Sequence, residues 1–403
     1  MRINILAAPL IPAVMLLASC NAAATGDSAP SSTPTPSNAS GMMGGTPISL
    51  EGDLPFAVET FGQFDEPWAV AVEPGTGNIF ITEKGGTAKF IQLANGRLGT
   101  IESGLPQVAY GGQGGLGDIA FAPDYETSGM VYISWAKADA GKARRAALGR
   151  GKLVCEQADS CRIDGFTQIW QQSLAIDSNG HFSHKIAFSP DGRYLYVSSG
   201  DRQQADPAQD ISNNLGTVVR LNLDGTPAAG NPFADRGSPT DQIWSYGHRN
   251  LLGLQFDLDG QLWDLEHGPR GGDELNKVME RNNYGWPTRS YGINYNGDPI
   301  PDHTPDDGFT KPAIYWTPVI APGDFVFYKG SMFGDWRGDA VIANLGTTSL
   351  VVVDTNSAGT GSATEVARYA FPKRLRDIVE YPDGSLFIIE DGAGGRLLRL
   401  TPG

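Results

Sequence analysis

Four of the five histidines in this 403-residue chain fall in three short segments that also concentrate Gly, Asp, Arg and Asn. The first is Gly180-His181-Phe182-Ser183-His184-Lys185, followed after a hairpin by Gly200-Asp201-Arg202; the second is Tyr246-Gly247-His248-Arg249-Asn250. The third runs from His267-Gly268-Pro269-Arg270 to Asn276 and leads to Asn283-Tyr284-Gly285-Trp286-Pro287. A neutral imidazole beside a fixed carboxylate is a serviceable base near neutral pH, and His181 with Asp201 meets that requirement. A Gly-Pro step flanked by further glycines turns backbone carbonyls outward, and carbonyl oxygens are hard-cation ligands suited to calcium. Each feature alone is equally well met by a hydrogen-bonded structural histidine or a plain turn.

Elements that could bring these segments together recur along the chain. An apolar strand, a Pro-Asp-Gly type turn and a second strand rich in aromatic and branched residues repeat. The instances are Val70–Val72 into Ile79–Thr82, Ile119–Phe121 into Val131–Ser134, Ile186–Phe188 into Tyr194–Val197, Leu254–Phe256 into Leu262–Trp263, and Ile378–Glu380 into Leu386–Ile389. A more degenerate copy, Phe325–Tyr328 into Ala340–Ala343, fills the one long gap and makes six units. Such repetition predicts an all-β, six-bladed β-propeller of four-stranded antiparallel blades over residues 48–403; two sandwiches with similar hairpins are the alternative. Loops between blades open onto one end of the channel, so segments far apart in sequence can meet there. With 52 glycines and 27 prolines, about a fifth of the chain favours turns over long helices. A formal charge of −15 argues against a nucleic-acid partner.

The N-terminus reads as an export signal over residues 1–19, because the apolar stretch after Arg2 is too short and proline-bearing to span a bilayer. It ends in Leu17-Ala18-Ser19-Cys20, which looks like a bacterial lipobox, with lipidated Cys20 as the mature N-terminus. With Asn21 following, the expected location is the periplasmic side of the outer membrane, held by the lipid anchor. A cut after Ala24 would instead leave a soluble periplasmic protein. Residues 20–47, rich in Ser, Thr, Pro and Ala, read as a flexible tether. Cys155 and Cys161 lie close together in a chain bound for an oxidising compartment, where a local disulfide is expected.

From about Pro67 to Leu400 the sequence resembles the soluble pyrroloquinoline-quinone (PQQ) dependent glucose and aldose-sugar dehydrogenases, or glucose/sorbosone dehydrogenases. The motifs that carry the resemblance are Glu66-Pro67-Trp68, Gly112-Gln113-Gly114-Gly115-Leu116, the His181 loop, Gly200-Asp201, Gly247-His248-Arg249-Asn250, the string from His267 to Asn276, Asn283–Pro287, and Arg374-Leu375-Arg376-Asp377. The resemblance implies oxidation of an aldose hydroxyl at C1, with His181 as general base, Asp201 orienting it and Arg249 beside the reactive quinone oxygen. It further implies cofactor contacts from Gln113, Asn250, Tyr291, Arg374 and Arg376, and a sugar pocket lined by Gln113 and Trp316. Gly268 and Pro269 would hold a calcium ion through their carbonyls, and Glu274 and Tyr284 a second, structural one. The electron acceptor is left open.

Two departures stand out. Where many members carry a Lys or Arg, this chain has Gly346 in Asn344-Leu345-Gly346-Thr347, so one cation toward the cofactor carboxylates is missing. Ser183-His184-Lys185 replaces a more common small-small-Arg, which reads as a local structural difference. A calcium-dependent propeller lactonase, built on carboxylates around one metal, and a non-catalytic carbohydrate-binding propeller are the rival readings.

Overall fold

A computed structural model describes residues 45–52, 54–355 and 362–403. The signal, Cys20 and nearly all of the expected tether lie outside these residues. Among the described residues the regular secondary structure is almost wholly β-strand, and no helix is long and apolar enough to cross a membrane.

All six expected hairpins form. Val70 pairs with Ile81, Ile119 with Ile133, Ile186 with Val197, Leu254 with Asp264, Val326 with Val341 and Ile378 with Ile388, each antiparallel. The second strand of a hairpin is commonly buried from end to end, as in Ile79–Glu83, Leu262–Glu266, Ala340–Asn344 and Leu386–Glu390. A strand covered on both faces must be apolar along its whole length, which is why these segments read as continuous runs and not as alternations. The opening strands of successive hairpins pack side by side in order, and the last, Leu375–Glu380, packs against the first, Pro67–Val72, so the architecture is propeller-like and closed.

The sheets depart from six separate four-stranded blades. Three have four strands, opening at Ser183–Phe188, Leu251–Phe256 and Pro322–Phe327. The first two hairpin units fuse into one eight-stranded sheet, because Arg97–Ser103 pairs in parallel with Ser160–Gln171. Both strands would otherwise present unpaired outer edges, and joining them removes two edges at once. The last sheet has five strands: Phe56–Asp65 pairs with the C-terminal Ala393–Pro402 and carries Thr46–Ile48 on its outer side. Cys155 and Cys161, on the long strands Arg144–Gln157 and Ser160–Gln171, are joined in a disulfide.

Apolar packing sits between sheets. Trp263, Leu265 and Leu275 of one sheet pack on Phe325, Phe327 and Ile342 of the next, and Val326, Val341 and Val352 pack in turn on Ile378, Ile388 and Leu398. Ile389 and Leu397 then meet Val70, Ile79 and Ile81, closing the circuit. Stability therefore accrues interface by interface, and the axis is left free for polar groups.

Candidate active site

The segments that carry chemistry enter or leave the inner strands at one end of the ring. The His181 loop precedes Ser183–Phe188, Asp201 follows Tyr194–Ser199, Arg249 precedes Leu251–Phe256, and His267 follows Leu262–Glu266. Antiparallel pairing brings Ser183 opposite Ser199, which places His181 next to Asp201.

Nδ1 of His181 lies 2.6 Å from Oδ1 of Asp201. The carboxylate is itself fixed: Oδ2 accepts from Nε1 of Trp286 at 2.8 Å, and Oδ1 accepts from the Gln203 amide at 2.8 Å. A carboxylate accepts only, so Nδ1 carries the ring proton and Nε2 is left as the basic lone pair. Burial pushes the His181 pKa down, the Asp201 carboxylate pulls it back up, and the net direction is downward, so the ring is neutral at neutral pH. Burial works to raise the Asp201 carboxyl, but His181 and then Arg249 hold it below the usual range. The His181 amide donates to Oε1 of Gln113 at 2.6 Å, so Gln113 positions the base from the neighbouring loop. His181, Ser183 and His184 all have left-handed backbones, with φ of 50°, 58° and 60°. Such strain in non-glycine residues persists only where the surroundings enforce it.

Arg249 donates through Nη1 to the carbonyls of His267 at 3.0 Å and Gly268 at 2.8 Å, with its guanidinium over the Trp286 ring at 5.1 Å. Its Nε and Nδ2 of Asn250 are buried with no hydrogen-bond partner. These two donors, side by side in sequence, join Arg202 Nε and Nη1 as buried donors without partners next to the His181–Asp201 pair, and they fit an acceptor-rich ligand such as a quinone. Carbonyls of His267 and Gly268 are chemically suited to a hard cation, which would exchange for the Arg249 bonds they now accept. Pro269 lies beside Gly268 in a cleft of about 620 Å³, which also takes in Tyr295 and Thr317.

A cavity of about 250 Å³ opens between Gln113, His184, His267, Leu345, Arg374 and Arg376. Glu66 of the Glu66-Pro67-Trp68 motif lines it too, with two further charges that sequence reasoning missed, Lys84 and Asp391. Asp391 clamps both arginines, Arg376 Nη2 at 2.7 Å and Arg374 Nε at 3.0 Å. The signal for it is weak, since an Asp after a strand in a turn is what a solvated loop also shows. Gly346 cannot be a lost lysine position in this backbone: a Cβ there would lie 2.8 Å from both the Ala321 Cβ and the Ile320 carbonyl oxygen.

Several expected site residues do not line this cavity: His181, Arg249 and Asn250 border it in sequence only, and Trp316 and Tyr291 pack in other surroundings. Trp316 is packed with Trp263 and Ile342, donates from Nε1 to Glu365 at 2.8 Å and does not line the cavity. Tyr291 stacks on Tyr315 at 3.7 Å, also away from the cavity wall. Both fall on the long connection around Gly292–Ile293 and Ile314–Trp316, where short strands give little sequence pattern from which to infer direction.

Glu274 lies opposite Glu266 across paired strands, and Asp264 opposite Asn276. His248, Asp264 and Glu266 present ligand atoms within 4.8 Å of one another, all buried. Burial, then the neighbouring Glu266 charge, drives the carboxyls of Asp264 and Glu274 well upward. This donor set suits a divalent cation, whose charge would relieve the repulsion. Tyr284 stacks on His248 at 4.4 Å and hydrogen-bonds through its hydroxyl to the Lys277 carbonyl and the Met279 amide, and it lines one small cavity with Glu266 and Glu274. Asp264, Glu266 and Glu274 do not line the Arg374 cavity, whose own carboxylates are Glu66 and Asp391, both facing cations.

Residues 64–399 match the family model for glucose / sorbosone dehydrogenase. The chain belongs to this family. Aldose sugar dehydrogenase YliI of Escherichia coli (strain K12) is 34% identical over 346 residues, covering 84% of this chain and 91% of that protein. The crystal structure of the apo form of the soluble aldose sugar dehydrogenase from Escherichia coli superposes with a TM-score of 0.80 at 32% identity, covering 86% of this chain and all of that one. A PQQ-bound aldose sugar dehydrogenase from Streptomyces coelicolor has a TM-score of 0.69 at 25% identity, covering 86% of this chain and 98% of that one.

Proposed function

We propose that this chain is an exported quinoprotein, a PQQ-dependent dehydrogenase that oxidises an aldose at its C1 hydroxyl to the lactone. The observation that carries the reading is a neutral His181 oriented by the Asp201 carboxylate, next to the partnerless donors of Arg249 and Asn250. Nε2 of His181 takes the C1 hydroxyl proton as the C1 hydride leaves, and Asp201 stabilises the imidazolium that results. When bound, the quinone supplies the two-electron carbonyl that accepts the hydride. Arg249 provides positive charge where negative charge develops, Asn250 and Gln113 hold position, and Arg374 with Arg376 face the cofactor carboxylates. The carbonyls of Gly268 and Pro269 would hold a calcium ion there, and Glu274, with Asp264 and Glu266 nearby, a second.

The same reading takes the ring as six four-stranded blades, with the fused sheet counted as two, and residues 1–19 as a signal that leaves Cys20 lipid-anchored at the outer membrane. It is tested by loading the protein, without signal and Cys20, with PQQ and calcium and following dye reduction with a panel of aldoses. Turnover is expected with at least one, and its loss in His181→Gln with PQQ still bound. A wild-type protein that binds PQQ and reduces no dye with any aldose overturns the proposal.

A further inference from the structure

His184 stands where a small residue is more common and is not used by the reaction as described. It lies in the wall of the cavity with Arg374 and Arg376. Its ring is stacked on Trp68 at 5.0 Å and 19°, with the edge of Phe182 at 6.3 Å. Rotation is blocked on the far side by Gly117, where a Cβ would sit 2.0 Å from Cε1 and 2.4 Å from Nδ1. The ring is therefore held in one orientation by an aromatic face and a glycine-sized gap.

Its tautomer follows from one serine. Ser134 Oγ accepts the Asp118 amide proton at 2.8 Å, and its other hydrogen-bond neighbour is Nδ1 of His184, also at 2.8 Å. Of the two arrangements a hydroxyl allows, only the one in which Ser134 donates to Nδ1 gives its own proton an acceptor among these neighbours, which makes Nδ1 the acceptor. A neutral ring then carries its proton on Nε2. Burial holds the His184 pKa down to about 3, so the ring is neutral across the working range. Nε2 has no protein partner, yet it is not among the polar atoms sealed away without one, so its open side is the cavity.

We infer that His184 is a cofactor-recognition residue, donating from Nε2 to an acceptor oxygen of the bound quinone. The inference rests on the quinone reading above. It gives the wall opposite the arginines a neutral, directional donor.

Two measurements test it. In the ligand-free protein, ¹⁵N chemical shifts of the His184 imidazole are expected to show Nε2 protonated; protonation at Nδ1 overturns the inference. Equilibrium binding of PQQ with calcium is expected to weaken about tenfold or more in His184→Phe, which keeps the stack on Trp68 and removes the donor. Ser134→Ala, which releases the tautomer and leaves the ring, is expected to weaken binding several-fold, and it serves if His184→Phe does not fold. Wild-type affinity in the folded variants overturns the inference alone, whereas a wild-type protein that does not bind PQQ overturns the quinone reading with it.

Discussion

Replacing Asp201 by Asn removes one charge and keeps the shape, which makes it the sharpest probe of the base. The structure gives the carboxylate a 2.6 Å bond to His181 Nδ1 and two further donors, Trp286 and Gln203. An amide keeps one accepting oxygen, so either the His181 bond or the Trp286 bond is lost. Hydrogen bonds to a charged group contribute about 1.5–3 kcal/mol. If that stabilisation acts on the imidazolium formed during proton removal, kcat falls about tenfold to 150-fold at 1.36 kcal/mol per decade. The sign on pH is fixed too. Asp201 raises the His181 pKa against the larger effect of burial, so removing its charge lowers that pKa further, and the acid limb of the pH–rate profile moves to lower pH. The assay is dye-linked aldose oxidation at saturating PQQ, with PQQ affinity measured alongside. A kcat within twofold of wild type, or an acid limb displaced upward, would refute the reasoning.

Other outcomes follow from the same geometry. Asp273→Asn is expected to destabilise the fold by about 1–3 kcal/mol in chemical denaturation, because its two oxygens accept the amides of Gly268, Ile320 and Ala321 at 2.9, 2.8 and 2.6 Å and an amide nitrogen can accept none. Arg376→Ala is expected to weaken PQQ binding more than Arg374→Ala, since Arg376 is 15% exposed against 55% and is the more firmly held by Asp391; titration of the two variants checks the order. Gly346→Lys, far from restoring a cofactor cation, is expected to lower stability by about 1–3 kcal/mol through its clash with Ala321 and Ile320, read as a lower melting temperature. His184 takes no proton in the native state until about pH 3, whereas the unfolded chain does so near its ordinary value of about 6.5. The unfolded state thus binds more protons in that window, so this residue makes stability rise with pH between the two values, and His184→Phe should flatten that part of a melting-versus-pH curve.

The hairpins were legible because their second strands are buried on both faces, and such strands announce themselves as unbroken apolar runs. Fusion of the first two units was not, since the Arg97–Ser103 and Ser160–Gln171 strands carry mixed polar sequences that fit an outer edge equally well. At the site, His181, Asp201 and Arg249 were visible as clustered types, but their meeting depended on the register that sets Ser183 against Ser199. Lys84 and Asp391 were missed for a plain reason: a charge in a hairpin turn has the same sequence signature whether it faces water or a ligand cavity. Trp316 was expected at the sugar pocket and is instead core, where Glu365 satisfies its indole nitrogen.

The pairing of Phe56–Asp65 with Ala393–Pro402 has a consequence in time as well as in space. The ring's first strand is among the earliest residues of the folded region to be made, and its partner is the last. Until residues 393–402 have left the ribosome, the first long strand can pair only with the short Thr46–Ile48, and the last sheet lacks its inner pairings with Leu386–Glu390. Closure of the ring therefore waits for residues 393–402, however many of the preceding sheets have already formed.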